Sequence, residues 1–405
     1  MLTKSDKEPL VSTSTLSRLS SEKSGDRGAY VYISVFSAVL YTVLLTAPVV
    51  AGKLAEQFAL APVQIGLLFS SELGAFSLAS IPAYLWLRKT DVRVMTIAFG
   101  IVVVCGNIVS GFLTEYPLLL AARVITSFAA GSITVVILAL GGRTANPSRA
   151  FGLFVVFQLA MGAAILAIFP LIYAGSGVGA IYWTLAGLTA LSLPAAFLIS
   201  GDVLKVAPGA SKGGVVKTAS LLYVGAGLAA ILLFYVALSG VWSFMANLAS
   251  QSGIELSQSS VVLSIATVAG ILSAFVATVL GESERRKTYL RAGFAGMAIG
   301  IALLYGHIGL IRFAVAAIIF KFAWTLILPY LLSTVSALGG SQTMNTTNLM
   351  IGTGFAIGPI VSGAIIEAVG TNAMILFSFS AILLSTGCVL YAQRGEKYLQ
   401  PHQLP

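Results

Sequence analysis

Twelve apolar runs, most of them twenty residues or longer, follow one another along this chain with short polar breaks between them. A helix needs about 20 apolar residues to cross the hydrocarbon core of a bilayer. By that ruler the spans lie at 29–51, 63–87, 93–114, 117–141, 150–173, 178–200, 218–246, 258–280, 290–306, 309–336, 344–366 and 371–393. The runs are continuous rather than alternating. Of the two structures that satisfy backbone polar groups inside lipid, helices and closed barrels, they therefore specify helices. Only 9% of the residues are charged and 58% are hydrophobic, whereas soluble domains carry about 25% charged residues. The sequence predicts an all-α, multi-pass membrane protein.

Lysine and arginine in the short loops set the orientation. With the N-terminus cytoplasmic, nineteen of the 23 basic residues fall in inside segments, and the outside loops hold only Lys53. Both termini are then cytoplasmic. The net charge of +9 follows from this topology and calls for no nucleic acid. Residues 1–28 are polar and Ser-rich, lack the apolar core of a signal peptide, and read as a disordered cytoplasmic tail. Residues 201–217 form the longest inside connection, a linker separating six spans (29–200) from six more (218–393). Residues 394–405 form a second tail. Short loops and the lack of targeting signals point to a bacterial inner membrane. Two cysteines and two histidines give neither a disulfide framework nor a metal set, and no cofactor is expected.

The two halves repeat one another. "RKT" occurs at Arg88–Thr90 and at Arg286–Thr288, and "ALGG" at Ala139–Gly142 and Ala337–Gly340, both at an offset of 198. "KLAEQ" at Lys53–Gln57 matches "NLASQ" at Asn247–Gln251 at an offset of 194. Three matches in order indicate two homologous six-helix halves.

This combination resembles the major facilitator superfamily of secondary transporters over residues 29–393. That family's loop signature after the second helix is Gly-x-Leu-Ala-Asp-Arg-x-Gly-Arg. Here the region reads "AYLWLRKTDVR", keeping the basic residues but not the Asp before them or the central Gly. The fourth-helix signature, Arg-x-x-Gln-Gly, keeps only its arginine, as Arg123. The drug-exporter pattern in helix 5 is missing, while "GFAIGPIVSG" stands in helix 11. The resemblance implies two bundles rocking about a central solute site lined by helices 1, 4, 7 and 10. It also implies that Arg88, Lys89, Arg286 and Lys287 latch the cytoplasmic bundle ends.

The repeat pairs polar residues on those four helices. Arg123 in the fourth span maps at offset 198 onto Lys321 in the tenth, and Tyr41 maps at offset 194 onto Tyr235. An arginine offers a carboxylate a planar fork and a lysine offers a point charge. The alternatives are an arginine bracing its own bundle, a snorkelling lysine and tyrosines that merely pack. Glu72 is the one acid deep in a span and lies at a depth similar to Arg123. It is a candidate proton site or a static partner of Arg123. Gln158, Trp324 and Asn348 are further candidate solute contacts, and Trp242 and Tyr330 candidate cavity walls. Two cations against one acid favour a small organic anion as substrate, carried by a functional monomer in the lipid bilayer. Proton-coupled efflux of amphiphilic drugs is the alternative within transport. An embedded enzyme or receptor is a minor one, since the spans hold no paired acids, histidine cluster or phosphate loop.

Overall fold

In the computed structural model the described residues are 13–173, 175–205, 220–280 and 285–399, and they form helices and turns with no strand among them. The first bundle contains α1 (Thr13–Leu40), α2 (Thr42–Phe58), α3 (Pro62–Leu78), α4 (Ser80–Trp86), α5 (Val92–Ser110), α6 (Tyr116–Gly141), α7 (Pro147–Ile172) and α8 (Val178–Ser192). The second contains α9 (Leu221–Gln251), α10 (Leu256–Leu280), α11 (Arg286–Ala302), α12 (Leu310–Ala368) and α13 (Thr371–Leu399). Among the described residues, eleven segments are long and apolar enough to cross a membrane. The twelfth crossing is α11, whose 17 residues rise only about 25 Å and begin with Arg286 and Lys287.

Several crossings are bent, for local reasons. α1 and α2 form one crossing broken at Tyr41. There the Thr42 and Thr46 hydroxyls each donate to the carbonyl four residues back, at 2.8 Å, a contact that bends helices. α3 and α4 form another, interrupted at Ala79 just before Pro82, which has no N–H to continue the ladder. α8 tightens into a 3-10 turn at Leu193–Leu198 as Pro194 enters.

Helical hydrogen bonding is continuous along the 59 residues of α12, which would measure about 88 Å if straight, far more than a bilayer. Its two ends run in opposite directions past α9. Trp324 packs edge-to-face against Trp242 and Val335 meets Gly227 on the way down, then Gly354 meets Tyr235 and Gly358 meets Ser239 on the way back. The chain thus reverses between the predicted tenth and eleventh spans, as two crossings require.

Two boundaries differ from the sequence expectation. α1 begins at Thr13, within the stretch read as a disordered tail. A helix already nucleated by its membrane-embedded part extends at little cost through residues of fair propensity such as Leu16, Arg18 and Lys23. α13 likewise runs on to Leu399, past the predicted end at 393. Residues 1–12 and 400–405 of the two tails, and 206–217 of the expected linker, lie outside the described residues.

With an even number of crossings, α1 and α13 enter and leave at one end of the molecule, here the terminal end; the opposite is the far end. The repeat persists in the backbone at the far end. Ala59 caps α2 in the left-handed region at φ 50°, and Gly253, its mate at offset 194, follows α9 at φ 80°. Glycine takes this conformation freely and alanine does not. Ala59→Gly is therefore expected to raise thermal stability by up to about 1 kcal/mol, measurable by melting the purified protein in detergent.

The bundles touch most closely in their far halves. A Cβ added at Gly66 would lie 2.4 Å from the Pro359 carbonyl oxygen, and one at Gly363 would lie 2.3 Å from that of Pro62. The Ile360 N–H donates to Ser70 Oγ at 2.9 Å, and Ser264 Oγ donates to the Ala163 carbonyl at 2.8 Å.

A candidate solute site between the bundles

A cavity of about 590 Å³ opens between α1–α4, α5, α6 and α8 of the first bundle and the returning limb of α12. Cavities of a few hundred to about 1,000 Å³ suit small organic ligands. Its wall residues Leu78, Ile81, Leu138 and Leu349 are exposed and lie toward the terminal end of their helices. Its floor, in the far half, is buried and charged.

Arg123 forms that floor. It is 1% exposed, and its Nε donates to Glu72 Oε1. One terminal nitrogen donates to Asn107 Oδ1 at 2.7 Å, and the guanidinium lies 4.6 Å from the centre of the Tyr182 ring. Four helices, α3, α5, α6 and α8, thus converge on one cation. A guanidinium cannot shed its proton, so burial in lipid demands this much compensation. Glu72 also lines the cavity, and its second oxygen, Oε2, has no hydrogen-bond partner among the described residues. The pair expected from depth counting is therefore formed, with half the carboxylate uncommitted.

Lys321 sits elsewhere. It is fully buried in α12 and is not among the cavity-lining residues. Among the described residues its Nζ has no hydrogen-bond partner, and it lies 3.9 Å from the Trp242 ring centre and 3.5 Å from that of Trp324. A desolvated cation on an indole face gains about 2 kcal/mol or more, which partly replaces the missing counter-charge. The lysine stem packs on Gly270 of α10, where an added Cβ would lie 3.2 Å from Lys321 Cγ. Position 270 aligns with Gly74 of α3, two residues from Glu72, so the repeat places both cations against equivalent helices but supplies an acid to only one.

The other predicted contacts divide. Tyr41 lines the cavity at the α1–α2 break and packs edge-on against Phe76 and Phe154, at 5.2 and 5.1 Å. Asn348 lines it from the second bundle. Tyr235 is buried behind Phe355, a wall residue 4.8 Å away. Trp324 serves Lys321. Gln158 in α7 stands outside the lining, and its buried Oε1 has no hydrogen-bond partner among the described residues. Arg88 and Lys89 are exposed on the loop after α4, while Arg286 donates to Ser333 within its own bundle at 3.4 Å. Within the terminal end of the first bundle, Arg93 donates to the Ile199 carbonyl at 2.7 Å and Arg143 to that of Val203 at 2.6 Å.

Asn107 and Tyr182 were not singled out as site residues from sequence. A depth count would have found Tyr182, which lies a turn into α8 from the same far end that α6 enters toward Arg123.

The family profile of the Major Facilitator Superfamily matches residues 31–347, more than three-quarters of the chain. The chain belongs to the major facilitator superfamily. No curated protein sequence matches it. Among solved structures, a bacterial homologue of the human lysosomal transporter Spinster, in an inward-facing and unoccupied conformation, superposes with a TM-score of 0.68 at 12% identity, covering 94% of this chain and 99% of that one. The nucleoside transporter NupG gives 0.64 at 13% identity, covering 91% and 98%. At such identities the likeness speaks for the fold alone. As a superfamily member the chain is an integral, multi-pass membrane transporter of a small solute and not an enzyme. Its twelve helices form the two pseudo-symmetric six-helix bundles of that fold.

Proposed function

We propose that this transporter carries a small organic anion with an apolar body, together with a proton. The observation that carries the reading is the Arg123–Glu72 pair on the floor of an otherwise largely apolar cavity, with Glu72 Oε2 uncommitted. A substrate carboxylate entering the cavity competes with Glu72 for the guanidinium fork. A displaced Glu72, facing a negative solute in a dry site, takes up a proton. Anion and proton then travel together, a monocarboxylate as a neutral load and a dicarboxylate with one of its two charges cancelled. The loop charges support cytoplasmic termini; in that orientation the open cavity faces inward, in a bacterial inner membrane. Residues 29–200 and 218–393 act as the two rocking units of a monomer, and Arg88, Lys89, Arg286 and Lys287 latch the cytoplasmic ends by donating to carbonyl oxygens of the facing bundle when these close.

The apolar wall favours one second reading, efflux of amphiphilic drugs. Proteoliposome transport separates the two. An aryl dicarboxylate, too polar to permeate, should accumulate in the alkaline compartment when a pH gradient is imposed. Its diamide, cationic amphiphiles and neutral nucleosides (the class named for NupG) should not. Glu72→Gln keeps an acceptor for Arg123 but cannot carry the proton, so it should retain dicarboxylate exchange and lose gradient-driven accumulation. Equal transport of the dicarboxylate and its diamide would remove the anion reading.

A further inference from the structure

The carbonyl of Leu44 in α2 has lost its helical partner, because the residue four positions on is Pro48, which has no N–H. The vacancy is filled from the other bundle: Trp242 Nε1 of α9 donates to the Leu44 carbonyl oxygen at 2.9 Å. Leu44 is the cavity-lining residue furthest along α2 toward the far end. The same indole carries Lys321 Nζ on its face and packs against Trp324 with ring centres 5.8 Å apart. Trp242 itself is fully buried.

We propose that Trp242 is the positioning residue that holds the far side of the cavity shut. Lys321 and Trp324 fix the plane of the indole. The cation on its face draws electron density from the ring and strengthens its N–H as a donor. Pro48 leaves the acceptor open. When the far halves separate to admit solute from the other side, α2 and α9 part and this bond breaks. Lys321 accordingly acts on the conformational equilibrium through Trp242, without touching solute in the closed-far state. The assignment rests only on membership of the transporter family and on these contacts, and stands whatever the substrate is.

The test reads conformation without any solute. Spin labels at Thr114→Cys and Val369→Cys, on far-end turns of the two bundles, report far-side opening by pulsed electron-spin distance measurement, with Cys105 and Cys388 replaced by serine. Trp242→Phe keeps a ring and removes the donor. Pro48→Ala leaves every buried side chain of the second bundle in place and supplies a backbone N–H that competes for the Leu44 carbonyl. Each should raise the open-to-closed ratio by about fivefold, the worth of one hydrogen bond. The double variant should shift it no further, because both changes remove the same bond. Lys321→Met should move the ratio in the same direction. An unchanged ratio in Pro48→Ala overturns the proposal, and so does an additive double variant of about 25-fold. If Trp242→Phe fails to fold, the Pro48→Ala ratio alone decides.

Discussion

Glu72→Ala is expected to abolish transport and to destabilise the first bundle by about 3–5 kcal/mol, the cost of removing one partner from a buried ion pair. The guanidinium of Arg123 would keep Asn107 and the Tyr182 face, neither of which cancels its charge. It cannot neutralise itself, and at 1% exposure it cannot reach water without moving α6. Arg123→Ala should cost less stability, because an abandoned carboxyl can take a proton whereas an abandoned guanidinium cannot lose one. The double variant should melt above Glu72→Ala and still fail to transport. This ordering, read from melting curves in detergent, separates a merely structural ion pair from a functional one when set beside Glu72→Gln. A static brace would leave gradient-driven accumulation intact in the glutamine variant.

Gly363→Leu should have the largest effect on how the bundles meet. A Cβ there would sit 2.3 Å from the Pro62 carbonyl oxygen, and the atom it strikes is backbone at the start of α3, which has no rotamer to yield. The only relief is to move α3 and α12 apart along a contact that also includes Gly66 against Pro359. Overpacking of this kind costs about 1–3 kcal/mol, and here it pushes the far halves toward separation. Gly187→Leu is the matched control. No atom of the described residues beyond its own helix lies within 4 Å of a Cβ at that position, so the change should be neutral or gain up to about 1 kcal/mol of helix propensity. Equal melting temperatures for the two variants would remove the close-contact argument.

The crossings were legible because lipid leaves a chain few choices: a run of apolar residues long enough to span must be a helix. The Arg123–Glu72 pair was legible because counting residues from the far end gives depth, and two charges at one depth in one bundle need each other. The surroundings of Lys321 were not. A tryptophan pair enclosing an ammonium looks, in sequence, like any other aromatic content of an apolar helix, and depth counting gives no rotation about the helix axis. For the same reason the sequence placed Lys321 and Tyr235 beside Arg123 and Tyr41 in one cavity, whereas the structure lines the cavity with the first-half members alone. α11 is the marginal case: the sequence reads it as a span at 290–306, but its charged first turn shortens the apolar run, and its 17 residues leave it shorter than the eleven other crossings.

The offset that pairs Tyr41 with Tyr235 also pairs position 48 with position 242. The proline that vacates a carbonyl and the tryptophan that occupies it are thus the same site in the two copies of the repeat. In a molecule with identical halves such a site would face its own duplicate, and neither a pair of prolines nor a pair of tryptophans could make the present bond. Complementarity here exists only because the copies diverged. One half became the lock plate and the other the bolt, so the asymmetry that blurs the ancestral duplication in the sequence is itself what lets the two halves grip.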